Sequence, residues 1–557
     1  MKDRVKDRME DREEDRMEDK MGDRKNVRVE DRMKDTNGQE NEIRITVVGQ
    51  GGRKELQYQK NRSLMEAINQ NGYAISASCA GRGTCGKCKI QLIEGELEIT
   101  TSDREKLSER ELQQGYRLSC KAYPKKTCTV KLLTAGETEF EVVTENTMTG
   151  MEEELPSEGG YGIAIDIGTT TIAICLIGLT SGKLLHSYTT VNKQRAHGAD
   201  VISRIKASNE GKREMLKECI QMDLLEGIKC VITKGGISKE LVKEIVIAGN
   251  TTMGHLLMGY SCEKLGVYPF TPVNIDAIKL PFVEVIGPEY PDIPVTILPG
   301  ISTFVGGDIA AGLLASNFDH IEKPCLFIDL GTNGEMAIGN RNKIIVCSTA
   351  AGPAFEGGNI SCGVGSIAGA ICNINIQKGQ ITYETISNKP PVGICGTGVI
   401  ELTAELVKNE LVDETGLFLD EYFENGFEVT KDFQGNAIVF SQKDVREIQL
   451  AKAAIRAGVE TLIKLYGITY EDIDTVYLAG GFGYKINRIK ALEIGLIPQE
   501  LSHRIMAIGN SSLGGAIKYL LDKTARERLD KIIQTSEEIQ LSNQEYFNKK
   551  YIEHMYF

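Results

Sequence analysis

The sequence predicts a multidomain protein of α/β and α+β class: a small cysteine-bearing domain, then two related α/β lobes around a cleft. Three observations carry this. Four cysteines gather near the front, Cys79, Cys85 and Cys88 in CAGRGTCGKC and Cys120 in RLSC. From Tyr161 onward, apolar strands run into glycine-rich turns: YGIAIDIGTTT, EIVIAGNTTMG, CLFIDLGTNGE, TVYLAGGFG and RIMAIGNSSLGGA. Two of these turns, DIGTTT at Asp166 and DLGTNG at Asp329, resemble each other, as duplicated lobes would require. A chain of 557 residues has room for three or four domains, and 41% apolar residues can fill their cores.

Residues 1–40 repeat Asp-Arg and Glu-Asp units with few apolar residues, cannot bury a core, and are expected to be disordered. From Ile43 the texture changes. IRITVV and KELQYQ alternate as short strands around a glycine turn, and SLMEAINQNG reads as a short helix with Ser63 as N-cap and Gly72 as its stop. After the cysteine loop come a strand, KIQLIEG, a helix-like SDREKLSERELQQG, and a closing strand, TCTVKLL. That order fits a β-grasp ferredoxin domain over residues 41–135. Residues 136–159, acidic and containing Gly and Pro, read as a linker. The lobes are expected at 160–322 and 323–557, each glycine-rich turn being followed by a helical stretch.

Composition excludes several classes. A net charge of −13 argues against nucleic-acid binding, because phosphate backbones reward basic patches. No uninterrupted run of eighteen apolar residues is present, so no membrane span is expected. The charged N-terminus has no apolar signal region, and a cytoplasmic location is expected. The other ten of the fourteen cysteines, Cys175, Cys325 and Cys347 among them, lie in apolar strands and helices without framework spacing and read as buried reduced thiols.

The cysteine spacing, five residues and then two, differs by one from the plant-type ferredoxin loop. Three thiolates from one loop and a fourth from Cys120 would supply two sulfur ligands to each iron of a 2Fe–2S cluster. Gly81, Gly83 and Gly86 would let backbone N–H groups turn toward the cluster. Structural zinc is the weaker alternative, since only Cys85 and Cys88 form a CxxC pair. Cys128 competes with Cys120 as fourth ligand, but alternates within TCTVKL like a strand residue.

The turn Asp166, Gly168, Thr169, Thr170, Thr171 suits a nucleotide polyphosphate: its N–H and hydroxyl groups would face phosphate oxygens, and its carboxylate would hold magnesium through water. The second copy, Asp329, Gly331, Thr332, Asn333, would approach from the opposite lobe. Gly480 and Gly481 in LAGGFG would allow close approach of an adenosine. GNTTMG and GNSSLGGA are matched turns readable as hinges or as packing turns. Asp308 and Glu335 are candidates for orienting the attacking water or holding magnesium; the bland readings are a helix N-cap for Asp308 and a surface strand end for Glu335. Glu356 is assignable either to the phosphates or to a partner. Neither a P-loop nor a good Rossmann fingerprint is present.

DIGTTT, DLGTNGE and LAGGFG, in that order, resemble the acetate and sugar kinase, heat-shock chaperone and actin superfamily of ATPases. Joined to an adrenodoxin-like iron–sulfur domain, and with LPGISTFVGGDIAAG and STAAGPAFEGGNISCG, the chain from about 41 to 540 resembles the reductive activators of corrinoid proteins. The resemblance implies a two-lobed actin-like ATPase that uses ATP and Mg2+ to pass one electron from a 2Fe–2S cluster to a corrinoid protein of a methyltransferase system. Co(II) would become Co(I) so that methyl transfer resumes. It also implies an upstream low-potential electron donor. The competing readings are a small-molecule kinase with a redox-sensing ferredoxin domain and a binding module gated by ATP. Paired lobes do not imply a dimer, and a homodimer stays open.

Overall fold

The structure is a computed structural model. It describes residues 43–557 except 50, 51, 57, 59–61, 72–74, 76–80, 82, 84, 85, 87, 133–158, 291 and 481–485. The expectations for residues 1–40, for nearly all of the linker, and for Gly72, Cys79, Cys85 and Gly481 lie outside the described residues.

The first domain comprises β1 (Ile45–Gly49), β2 (Gly52–Leu56), α1 (Leu64–Gln70), β3 (Lys89–Glu94), α2 (Thr101–Lys106), α3 (Glu109–Gln113), β4 (Tyr116–Leu118) and β5 (Cys128–Leu132). The sheet order is β2-β1-β5-β3-β4, with β1 and β5 parallel at its centre, the β-grasp arrangement. Ile45, Val47, Ile90, Leu118 and Val130 alternate inward, and Leu64 and Ile68 of α1 pack against them. Ser63 begins α1 as expected: its hydroxyl accepts from Glu66 N–H, and Glu66 accepts from Ser63 N–H. The expected helix before Cys120 is instead two. Thr100/Asp103 and Ser108/Glu111 are two successive capping boxes, and each restarts the chain. The strand β4, unforeseen, then carries the chain directly to Cys120.

The first lobe holds β6 (Tyr161–Ile167), β7 (Thr171–Gly178), β8 (Leu184–Val191), α4 (Val201–Ala207), α5 (Arg213–Lys234), β9 (Val242–Gly249), α6 (Thr251–Met258), β10 (Ile278–Pro281), α7 (Phe282–Val285), β11 (Pro294–Ile297) and α8 (Gly307–Ala315). Its sheet runs β10-β11-β9-β6-β7-β8. The second lobe opens in the same way, with β12 (Cys325–Leu330), β13 (Gly334–Asn340) and β14 (Lys343–Thr349). Small β elements follow: β15 (Ala370–Gln377), β16 (Gln380–Thr385) and β17 (Gly393–Ile394), then, after α9 (Gly396–Lys408) and α10 (Asp420–Phe423), the hairpin β18 (Phe427–Lys431) and β19 (Ala437–Phe440). Helix α11 (Gln442–Tyr466) leads to β20 (Val476–Ala479), α12 (Arg488–Glu493), β21 (Ile505–Gly509), α13 (Ser511–Leu521), α14 (Ala525–Thr535), β22 (Ser536–Glu538) and α15 (Glu545–Glu553). The second large sheet runs β21-β20-β12-β13-β14-β22.

Each lobe therefore centres on an antiparallel hairpin, β6-β7 or β12-β13, flanked by a parallel strand, β9 or β20. This corrects one expectation: DIGTTT and DLGTNG do not lead into helices but fold back as hairpin turns. The β-branched run after Thr171, TIAICLI, favours a strand.

Helices α8 and α13 lie between the sheets and share one core with both, from Ala164 and Val246 to Phe327 and Ala479. Their close crossing depends on glycine: a Cβ on Gly515 would stand 2.0 Å from the Ala311 carbonyl oxygen, and one on Gly312 would meet Phe327 at 2.7 Å. Cys175, Cys325 and Cys347 are buried on strands as expected, and burial pushes the Cys175 thiol up to about 12 and Cys325 to about 11. Among the described residues no helix is long and apolar enough to cross a membrane.

Candidate functional site

The two hairpin turns face each other across a cleft of ≈ 1170 Å³. Asp166 closes β6 from one side and Asp329 closes β12 from the other. Asp166 Oδ2 accepts from Asn510 Nδ2 at 2.8 Å, and Oδ1 accepts from Ser512 Oγ at 2.7 Å. Asp329 sits opposite Glu335 in the β12–β13 ladder, so both carboxyls project from the same face. The equivalent partner of Asp166 in the first lobe is Ala173, so the second lobe adds a carboxylate that the first lacks.

Glu335 is not a surface strand end: it lines the cleft and accepts from Ser348 Oγ at 3.2 Å. Asp308 is not the N-cap of α8 either. Gly306 holds that position, and Asp308 stands inside the first turn, where Oδ1 accepts from Ile309 N–H at 2.9 Å. Burial raises all of these groups, and repulsion between neighbours adds to it. Asp308 is pushed up to about 7, mainly by burial and also by Asp166. Asp329 is pushed up to about 8 by burial and then by Asp308, Asp166 and Glu356. Glu335 is carried well above the usual range by burial and by Asp308 and Asp329.

Glu356 joins the lobes. Its Oε2 accepts from Thr332 Oγ1 at 2.9 Å and from Thr170 Oγ1 at 3.3 Å, so one oxygen holds a hydroxyl from each turn. Glu356 thus sits between the two hairpin turns. Gly480 carries a left-handed backbone, φ +93°, and a Cβ there would meet Leu330 O at 2.7 Å and Asp329 Oδ1 at 2.9 Å.

Sequence reasoning passed over Asn250, Asn510 and Ser512. The two asparagines cap α6 and α13 and use their remaining amide hydrogens on the site, Asn510 on Asp166 and Asn250 on Thr169 Oγ1 at 3.1 Å. The signal was present, since GNTT and GNSS are matched strand-to-helix turns with Asn at the cap position.

In the first domain, Cys88 ends its loop just before β3 and Cys120 follows β4; they are 1% and 3% exposed. Ser119 joins them: its N–H and its hydroxyl both donate to Cys88 O at 2.9 Å. Gly81, Gly83 and Gly86 all take left-handed φ of +70° to +82°, which a side chain would strain, and a Cβ on Gly81 would stand 3.9 Å from Cys120 Cβ. Cys128 lies at the other end of β3, beside Gly95. At about 3.3 Å per residue, the six residues of β3 put roughly 20 Å between the two ends.

Against known proteins, residues 47–125 match the 2Fe-2S iron-sulfur cluster binding domain, 161–321 the RACo middle region, and 323–557 the C-terminal domain of RACo, the ASKHA domain. The corrinoid activation enzyme RamQ of Eubacterium limosum is 37% identical over 413 residues, spanning 70% of this chain and 69% of that protein. This chain belongs to the family of corrinoid reductive activators. The Co(II) methylated amine-specific corrinoid protein reductase of Methanosarcina barkeri is 29% identical over 429 residues, 70% of this chain and 76% of the relative. A solved reductive activator for corrinoid, iron-sulfur protein superposes with a TM-score of 0.66 at 29% identity, covering 93% of this chain and 98% of that one. As in the family, a ferredoxin domain precedes an actin-like pair of lobes.

Proposed function

We propose that this chain uses ATP to drive one electron from a 2Fe–2S cluster onto the cobalt of a corrinoid protein, converting Co(II) to Co(I). One observation carries the reading: a cysteine pair on a β-grasp sheet and a carboxylate-lined two-lobed cleft share one folded unit. The relatives named for corrinoid activation and reduction support the choice of partner.

A bound 2Fe–2S cluster supplies reversible one-electron transfer. Cys79, Cys85, Cys88 and Cys120 would hold it, and the separation of Cys128 from Cys88, roughly 20 Å along β3, favours Cys120 as the fourth ligand. Gly168, Thr169, Thr170 and Thr171 would face the polyphosphate from one lobe and Gly331, Thr332 and Asn333 from the other. Gly480 and Gly481 would let the backbone approach the nucleoside. Asp166 and Asp329 would hold magnesium through water. Asp308, raised to about 7, is suited to taking a proton from the attacking water near neutral pH, with Glu335 beside it.

Transfer to cobalt is uphill, and each tenfold in a one-electron equilibrium corresponds to about 59 mV. A nucleotide-driven change of lobe state supplies the coupling. An upstream low-potential donor returns the electron, and the setting is cytoplasmic.

The test is made on reduced, anaerobic protein mixed with a Co(II) corrinoid partner. ATP should drive Co(I) formation, seen by absorbance, where reduced protein alone leaves most cobalt as Co(II). Equal Co(I) yields with and without ATP would overturn the reading and revive the kinase alternative.

A further inference from the structure

Between β8 and α4 runs a short strap, Asn192–Gly198, that touches both the nucleotide cleft and the ferredoxin domain. On the cleft side, Asn192 is fully buried; its Nδ2 donates to Gly168 O and its N–H to Thr170 O, both at 2.9 Å. Arg204, also fully buried, donates to Thr169 O, to Gly198 O at 2.9 Å and to Gln194 Oε1 at 3.3 Å. Three successive carbonyls of the Asp166 turn are thereby held by the strap and its clamp. The Arg195 guanidinium is within electrostatic reach of Glu356, the carboxylate that holds Thr170 and Thr332.

On the other side, the turn Lys193–Ala196 packs against α1. His197 is within electrostatic reach of Arg62 and Glu66 of the ferredoxin domain and of Lys212 and Arg204, and its buried Nδ1 has no hydrogen-bond partner among the described residues. The first N–H groups of α1 donate to residues that bracket Cys120: Leu64 to Ala122 O at 2.8 Å, and Met65 to Ser119 O at 3.0 Å. A continuous chain of contacts thus runs from the phosphate turn to a cluster ligand.

We propose that the Asn192–Gly198 strap is a positioning element that ties occupancy of the nucleotide cleft to the seating of α1 against the Ser119–Ala122 segment that carries Cys120. The inference rests on the ATP reading above. Its two-state element is the Thr170 and Thr332 hydroxyls, which bond either to Glu356 or to phosphate oxygens; displaced, Glu356 is free to draw on Arg195 of the strap. Coupling of this kind is reciprocal, so where the seating of α1 differs between the oxidised and the reduced cluster, nucleotide affinity differs with it.

The test uses the full chain with its cluster assembled, titrated with magnesium and a non-hydrolysable ATP analogue in the oxidised and the reduced state. Affinity should differ between the states by roughly fivefold or more. Each tenfold should reappear as about 59 mV in the cluster potential measured with and without the analogue. Hydrogen exchange over Leu64–Gln70 should change on analogue binding. His197→Ala should bring the affinity ratio near one while cluster absorbance and analogue binding to oxidised protein persist. Analogue binding with equal affinity in both states and no exchange change in α1 would overturn the inference and leave the ATP reading standing. So would an undiminished ratio in His197→Ala. No analogue binding at all would overturn both.

Discussion

Asp329→Asn should trade magnesium binding for stability in the nucleotide-free protein, most visibly at alkaline pH. Burial and the neighbouring Asp308, Asp166 and Glu356 carry the Asp329 carboxyl from 3.8 to about 8. A carboxyl raised on folding contributes stability that is fully present below its unfolded value and is lost as pH climbs through the folded one. The window is therefore about pH 4 to 8, with Asp308 titrating inside it near 7. At about 1.4 kcal/mol per pH unit, ionising Asp329 withdraws at most about 6 kcal/mol by pH 9, an upper bound because the cluster shares its protons.

The assay is thermal unfolding without magnesium or nucleotide, from pH 6 to 9. Parent protein should lose stability across this range. Asp329→Asn should flatten the slope and melt several degrees higher than parent at pH 9, at roughly 2 °C per kcal/mol. Magnesium with nucleotide should raise the parent midpoint and leave the variant unmoved. A parent that gains stability with pH, or a variant with the parent slope, would refute the argument that these carboxyls are buried against one another.

Two further outcomes are expected. Cys128→Ala should keep the visible spectrum of a 2Fe–2S cluster while Cys120→Ala loses it, because only Cys120 is tied to Cys88 through Ser119; the reverse pattern, read by absorbance, would overturn the ligand set. Asn510→Ala should cost about 1–2 kcal/mol by urea denaturation, through loss of the α13 cap and of a donor to buried Asp166, and should weaken nucleotide binding.

The sequence by itself determined the local chemistry. A 2Fe-2S domain was legible in Cys79 to Cys120 because thiolate spacing and glycine content are local properties, and Gly81, Gly83 and Gly86 do take the left-handed φ that only glycine adopts freely. Asp166 and Asp329 were legible because a strand, a glycine turn and hydroxyls lie within six residues. The Ser63 cap was legible for the same reason. Tertiary structure decided which distant groups meet. Nothing near Glu356 in the chain says that it grips Thr170 and Thr332 together, since that depends on both lobes closing around one oxygen. Asn510 reaches Asp166 only because α13 crosses back between the two sheets on a glycine contact with α8. The bland reading of Glu335 failed for the same reason, since ladder pairing is set by packing and β13 places Glu335 opposite Asp329; that of Asp308 failed because the N-cap of α8 falls two residues earlier, at Gly306. The Asn192–Gly198 strap holds the Asp166 turn by buried hydrogen bonds and packs on α1, a meeting of residues far apart in sequence that only the folded chain brings about.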